Sequence, residues 1–284
     1  MNESKMNYEN SINEVLNYIQ ENLSSRMDLN TLAQIGCFSP FHFHRLFKVF
    51  VGEPIGSYIK RKKLEQAAHL LSYSNESVSE IGYQVGYETP SSLSTAFQKQ
   101  FDCTPTYFRK HFKNFKKSPI MNNIKVEDMN LPVRFENIDP IKVIFVRCKG
   151  YNPESIGKAW NTVIPFAQQN GVFNDTSKRI GIAIDNPDIT SQENCEYNAC
   201  LSVDEIIKTS GEVSSKELKG GKYAVFTHKG PYDNVDKVYS YIFKKWLLEG
   251  ENELREGDIY DLYLNSIMNT APGDLLTEIH IPIQ

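Results

Sequence analysis

GCFSPFHFHRLFK, Gly36 to Lys48, sets two histidines around a phenylalanine in a run that opens with Ser-Pro and closes on a lysine. Such a run can be a metal site, a piece of core or a surface that touches something. A helix that starts at Pro40, with Ser39 as its N-cap, decides between them. At about 100° per residue, Phe43, Leu46, Phe47 and Phe50 fall on one stripe, which is expected to be buried, and Phe41, His44, Arg45 and Lys48 share the opposite face. His42 and His44 are about 200° apart on that helix and cannot chelate one ion, because zinc helices place their histidines at i and i+4. What remains is an outward face carrying a ring, a histidine, an arginine and a lysine. Such a face suits bases and phosphates in a groove, or plain solvent.

A repeat tilts the choice. Sliding the sequence by 50 positions pairs Gly36 with Gly86, Ser39-Pro40 with Thr89-Pro90, Phe43 with Leu93, Leu46 with Ala96, Phe47 with Phe97 and Val51 with Phe101. Each unit reads as a short helix (Leu29 to Ile35, and Val78 to Val85), a turn at glycine, and a second helix begun by Ser or Thr and then Pro. Pro54 and Pro105 start a further helix after each unit. On the second unit the outward face is Ser91, Ser94, Thr95 and Gln98, with Thr89 as cap: short polar groups able to approach a nucleic-acid backbone closely. The stretch PIGSYIKRKKLEQAAHLL, Pro54 to Leu71, joins the units as a helix about 27 Å long at 1.5 Å per residue. That length suits two helices entering successive major grooves, roughly 34 Å apart. Phosphate contacts are the expected use of Lys60, Arg61, Lys62 and Lys63 on it, and of Arg109, Lys110, Lys113, Lys116 and Lys117 beyond the second unit.

FSPFHFHRLFKVFVGEPIGSYIKRKKLEQAAHLL and IGYQVGYETPSSLSTAFQKQFDCTPTYFRK resemble the DNA-binding domain of AraC/XylS-type transcription regulators, over about residues 8 to 113. The closing pattern of Phe97, Phe101, Pro105, Phe108 and Arg109 is long and specific. The resemblance implies an all-α domain of two helix-turn-helix units that binds double-stranded DNA, with base readout concentrated on Phe41, His44 and Arg45. Thr95 stands where relatives often carry arginine, so the second unit is expected mainly to grip backbone.

The rear half has another character. Residues 1 to 117 hold 14 Lys+Arg against 11 Asp+Glu, a balance of +3, and the remainder holds 17 against 24, a balance of −7. A polar stretch, residues 114–130, reads as a linker between a domain at 1–113 and one at 131–284. Beyond it a shift of 80 pairs Val146 with Phe226, Lys149-Gly150 with Lys229-Gly230, Ile180, Ile182 and Ile184 with Tyr260, Leu262 and Leu264, and Ala199, Leu201 and Val203 with Ile279, Ile281 and Ile283. The expected fold is multidomain: the all-α double helix-turn-helix domain, then an α+β domain of duplicated strand-helix-strand-strand units. Its helices, Pro153 to Asn170 and Pro231 to Leu248, should cover the isoleucine-rich face. Alternation turns Glu278 and His280 away from Ile279, Ile281 and Ile283, and Asp261 and Tyr263 away from Leu262 and Leu264. A carboxylate and a tyrosine lining a cleft where the copies meet would favour a cationic, partly apolar ligand; a merely solvated strand face fits the same pattern. GIAIDNPD, EYNACLSV, FTHKGPYDNV and YDLYLNSIMNTAPGDLLTEIHIPI resemble the GyrI-like small-molecule-binding domain over about Pro132 to Gln284. The resemblance implies an effector pocket, with its central acid carried over to Glu278 and Tyr263 and Trp160 as aromatic candidates; alternation adds His280 and Asp261.

The whole chain bounds the rest. Its 284 residues, 40% of them apolar, are enough for two cores. The first ten lack a secretory apolar stretch and no run of about 18 apolar residues occurs, so the expected compartment is the cytoplasm, with no membrane partner. Five scattered cysteines, without a C-x-x-C pair, read as reduced thiols, and neither metal nor cofactor is expected. The leading reading is a DNA-binding regulator with an effector-sensing rear domain, and not an enzyme. Two others compete for the rear domain. It could hydrolyse a small molecule, with Glu278 and Tyr263 as acid and base, although nucleophile elbow, metal set and phosphate loop are all missing from the sequence. Or it could dock a protein such as RNA polymerase or a toxin target.

Overall fold

The computed structural model describes residues 3–115, 131–186, 189–247, 252, 254–255 and 257–284. They divide into two compact units, a mainly helical one made by the front of the chain with short pieces of the rear half at 189–190 and 210–214, and a sheet-based one from the rest of the rear half. Residues 116–130, most of the expected linker, lie outside the described residues.

The helical unit runs α1 (Glu3–Glu21), α2 (Leu29–Ile35), α3 (Pro40–Val51), α4 (Ile55–Tyr73), α5 (Val78–Gln84), α6 (Pro90–Phe101) and α7 (Pro105–Phe115). Local signals explain most boundaries. Asp28 accepts from the amides of Asn30 and Thr31 at the start of α2, Ser77 and Glu80 form a reciprocal capping box on α5, and Thr89 accepts from the Ser92 amide on α6. Ser39 holds the N-cap position of α3 without a side-chain cap bond, leaving Pro40 to set the start. The two turns differ as well. Gly86 takes φ +77, whereas in the first unit Gly36 has φ −77 and the left-handed residue is Cys37, at φ +57.

Among the described residues, two separate apolar clusters hold this unit together. The first joins Val15 and Ile19 of α1, Leu32 of α2, Phe43 and Phe47 of α3 and Tyr58 of α4. The second joins Leu64, Ala68 and Leu71 of α4, Ile81, Leu93, Phe97 and Phe108. As a result α4 works as a shared beam, its first half packed into one helix-turn-helix unit and its second half into the other.

The rear unit is one eight-stranded antiparallel sheet with helices. Its elements are β1 (Val133–Ile138), β2 (Ile141–Lys149), α8 (Pro153–Gln169), β3 (Arg179–Ala183), β4 (Glu196–Ser202), β5 (Val213–Leu218), β6 (Gly221–Lys229), α9 (Val235–Tyr241), β7 (Tyr260–Tyr263) and β8 (Leu276–Pro282). The strand order β1-β6-β8-β7-β3-β4-β2-β5 puts β7 and β3 at the centre. β1 and β5 are additions to the expected strands; VRFENI on β1 is mostly exposed or half-buried, and such a strand carries little apolar alternation to be read. The second expected helix is broken up: a 3₁₀ turn at Tyr232–Asn234, α9, then a π-turn at Ile242–Trp246.

The sheet buries both faces. On one, Ile279, Ile281 and Ile283 pack with Val235, Val238 and Tyr241 of α9, and α8 packs on β2 and β4. On the other, Val143, Phe145, Ile180, Ile182, Leu218, Tyr223, Val225 and Tyr260 form a cluster built from strands alone. Leu218 on the edge strand β5 and Val225 near the opposite edge belong to that one cluster. The expectation that helices cover the isoleucines is therefore corrected for Ile180, Ile182 and Ile184, which lie in or against the strand-only cluster.

Candidate nucleic-acid interface and ligand cleft

On α3 the helical wheel places Phe43 and Phe47 inside, both at 0% exposure, and turns His44, Arg45 and Lys48 to solvent. The Phe41 side chain lies outside the described residues. On α6, Ser91, Thr95 and Gln98 are exposed, while Ser94 is half-buried and donates to the Pro90 carbonyl at 2.9 Å. Thr89 spends its hydroxyl on capping α6 and on contact with the Ser91 hydroxyl at 3.1 Å. Lys60 of α4 joins Ser91, Ser92, Thr95 and Lys99 of α6 in a surface groove, so that two ammonium groups flank the hydroxyls. A groove of hydroxyls flanked by lysines suits a phosphodiester backbone. The sequence carries no sign of Ser92 and Lys99 as groove residues, because their partner there, Lys60, is distant along the chain.

The remaining basic residues of α4 are corrected. Arg61 is 9% exposed and bonds Glu53 at 2.6 Å and Glu65 at 3.1 Å; those two carboxylates keep its guanidinium charged despite burial. Lys62 is 8% exposed, its ammonium 5.6 Å from the Tyr58 ring centre. Lys63 donates to two backbone carbonyls. Charge composition cannot reveal this, because burial of a long basic side chain depends on what packs round its stem. Arg109 donates to the Glu76 carbonyl, and Lys110 is exposed. The Lys113 side chain, and Lys116 and Lys117, lie outside the described residues.

In the rear unit, strand register decides which side chains meet. Paired residues on neighbouring strands lie on the same side of a sheet. Asp261 pairs with Ile279 and with Gly181, so it faces the helices; Leu262 pairs with Glu278 and Tyr260 with His280, so those two face the strand-only cluster. The five expected pocket residues therefore split between two faces.

On the helix side Asp261 is buried, and the Tyr239 hydroxyl donates to its Oδ1 at 2.7 Å. Burial, with help from the nearby Asp236 charge, pushes its carboxyl up to about 7, the tyrosine bond opposing. Aromatic side chains surround it. The Tyr197 and Tyr263 hydroxyls meet at 3.1 Å, Trp160 of α8 stands edge-on to Tyr263 at 5.9 Å, Tyr232 packs on Tyr263 at 5.2 Å and Tyr151 on Tyr197 at 6.2 Å. Trp160, Tyr151, Tyr232, Tyr239 and Tyr263 are each half-buried, so the ring cluster borders solvent. Gly181 is required there: a Cβ would collide with both the Tyr197 and Tyr263 hydroxyls. A carboxyl in a wall of aromatic faces can take a cation with apolar substituents, through charge and ring-quadrupole attraction.

On the opposite face, Glu278 is held by Arg134 at 2.7 Å and lies 3.4 Å from His280. His280 is 3% exposed, stacks on Tyr260 at 4.4 Å, and burial lowers its imidazole to about 4 against the pull of Glu278. It is uncharged at neutral pH. Glu278 and His280 thus form a cluster distinct from the aromatic one, and the acid among the aromatic rings is Asp261. Tyr197, Tyr239, Tyr151 and Tyr232 share no sequence signal, because they sit on four separate segments that only the fold brings together.

The described residues contain no group of three His, Cys, Asp or Glu arranged to hold a metal ion, and no helix among them is long and apolar enough to cross a membrane. Comparison with known proteins matches residues 131–284 to the GyrI-like small molecule binding domain and residues 32–111 to a helix-turn-helix domain. The chain is 30% identical to the multiple antibiotic resistance protein MarA of Escherichia coli strain K12 over 99 residues, 35% of this chain and 78% of that one. It is 29% identical to the uncharacterized HTH-type transcriptional regulator YbfP of Bacillus subtilis strain 168 over 110 residues, 39% of this chain and 37% of that one. Among solved structures, the crystal structure of the EcmrR C-terminal domain aligns with 55% of this chain and 99% of its own, at 19% identity and a TM-score of 0.46.

Proposed function

The chain belongs to the AraC-type regulators that carry a GyrI-like small-molecule-binding domain, and from that premise we propose that it reads promoter DNA with α3 and α6 and senses a lipophilic cation with its rear domain. The observation that carries the DNA reading is the outward face of α3, with His44, Arg45 and Lys48 exposed over a core of Phe43 and Phe47. In this reading α3 supplies base contacts, Phe41 among them, and α6 with Lys60 and Lys99 follows the backbone. In-vitro selection of duplexes with the full chain tests it: two short blocks about one helical turn apart are expected. Arg45→Ala should then lose about 1 to 3 kcal/mol of affinity for the selected duplex. An affinity unchanged on replacing both Arg45 and Lys48 would overturn this reading.

The effector reading rests on Asp261, a buried carboxyl among tyrosines with no basic side chain paired to it among the described residues. We read the rear domain as two copies offset by 80, in which the cleft takes each large group from one copy and a small one from the other: Asp261 opposite Gly181, Tyr263 opposite Ala183, Tyr239 opposite Ala159, Tyr197 opposite Thr277. One ligand, held off-centre, fits that arrangement better than two. An aryl quaternary ammonium ion titrated calorimetrically is the probe, with binding expected in the native chain and lost in Asp261→Asn. Regulation further requires that the cation change DNA affinity and DNA change cation affinity by the same factor. The remaining parts of the proposal are a non-enzymatic role in the cytoplasm, domain limits at 1–113 and 131–284, and contact with RNA polymerase at the promoter.

A further inference from the structure

We propose that Lys63 is the positioning residue that locks the two helix-turn-helix units at one separation, so that the chain accepts DNA blocks at a single spacing. The inference rests on the DNA reading above. Each unit has its own apolar cluster, and the two clusters share α4 but no residue. Long helices curve gently along their length, so a tie beside α4 fixes the angle between the two bodies packed on its halves more closely than the helix alone. Lys63, near the middle of α4, makes such a tie. Its ammonium donates at 3.3 Å to the carbonyl of Ser25, in the segment leading to α2, and at 3.3 Å to the carbonyl of Gly86, in the turn between α5 and α6.

The backbone around it is shaped for this contact. Gly86 adopts φ +77, and a Cβ there would collide with the Ser24 carbonyl and with the Lys63 ammonium. The turn of the second unit thus approaches the first unit as closely as glycine permits. Arg26 and Glu88 flank the junction as an exposed ion pair at 3.9 Å, of little energetic weight but joining the same two segments. Burial lowers the Lys63 ammonium from its ordinary value, as expected for a cation withdrawn from water. Its role is geometric: a charge-assisted donor bridging two backbone segments.

The experiment measures affinity of the full chain for the duplex recovered by selection and for duplexes with one base pair added or removed between the blocks. The native chain is expected to lose about tenfold or more per altered base pair, because each step rotates one block by about 34°. Lys63→Met, which keeps the stem and removes the donors, is expected to cut that penalty to about threefold or less, with the salt slope unchanged; Lys63→Arg is expected to restore the penalty. If instead the salt slope falls by about one while the spacing penalty stays, Lys63 is a phosphate contact and the proposal is overturned; unchanged values on both counts overturn it too. Failure to recover any two-block duplex with the native chain removes the DNA reading itself, and the clamp with it. Thermal melts establish that each variant is folded, and Lys63→Gln replaces Lys63→Met under the same criteria should the latter unfold.

Discussion

In the helical unit, Arg61 is 9% exposed and lies between the carboxylates of Glu53 and Glu65; in the sheet unit, Asp261 is 7% exposed and has a tyrosine hydroxyl at 2.7 Å, with another carboxylate, Asp236, in its field. The first buried ion has its counter-charges within the fold. Among the described residues the second has none, and its carboxyl rises to about 7. Burial alone therefore says little about the purpose of a charge. A compensated ion is part of the architecture, holding the start of α4 to the turn before it, whereas an uncompensated one marks a place where a ligand can complete the pairing.

The largest effect that could break this contrast is on stability. Glu65→Ala leaves Arg61 short of a partner in a buried site and should destabilise the helical unit by about 3 to 5 kcal/mol, read in denaturant melts; a loss under about 1 kcal/mol would mean that Glu53 alone suffices. Asp261→Asn should behave in the opposite way. Because the folded carboxyl is raised above its ordinary value of 3.8, its contribution to stability is full in acid and lost as pH rises through about 7. At pH 8 the amide variant is expected to be more stable than the native chain, by on the order of 2 kcal/mol, while cation binding is lost. Lower stability together with retained binding would erase the distinction between the two ions. The contrast is sharpened by pH: a carboxylate attracts a cation and a carboxylic acid does not, so cation affinity should rise from pH 6 to pH 8 and fall about tenfold per unit below the Asp261 titration. Calorimetry at several pH values checks this, and the dependence should vanish in Asp261→Asn. Gly181→Ala, at the junction of the Tyr197 and Tyr263 hydroxyls, should give the mildest change in binding, about tenfold or less, by forcing the rings apart.

Legibility differed between the two regions for the same reason. On α3 and α6 the stripe of Phe43, Phe47, Leu93 and Phe97 is a property of one helix at a time, and the wheel that buries it also exposes Arg45 and Thr95. The glycine, cap and proline signals are local in the same way. The basic run on α4 was misleading: four consecutive cations point in four directions, and Lys60 alone among them is exposed. In the sheet unit, alternation correctly separates Glu278 from Ile279 and Asp261 from Leu262, but each statement concerns one strand. Taking the polar residues of both strands to face the same way made Glu278 and Tyr263 neighbours, and the register places them on opposite sides.

The order of elements in the front half, its duplication and the outward face of its first recognition helix follow from sequence alone, because helical phase and turn chemistry act over a few residues. The tertiary structure decided which carboxylate meets the tyrosines, which lysine bonds backbone carbonyls and which stays exposed. Those outcomes depend on hydrogen-bond register between strands and on packing between segments far apart in the chain, such as Gly181 beside Asp261 and Ser25 beside Lys63. A periodic pattern sets the angle of a side chain about its own element and carries no information about what stands opposite.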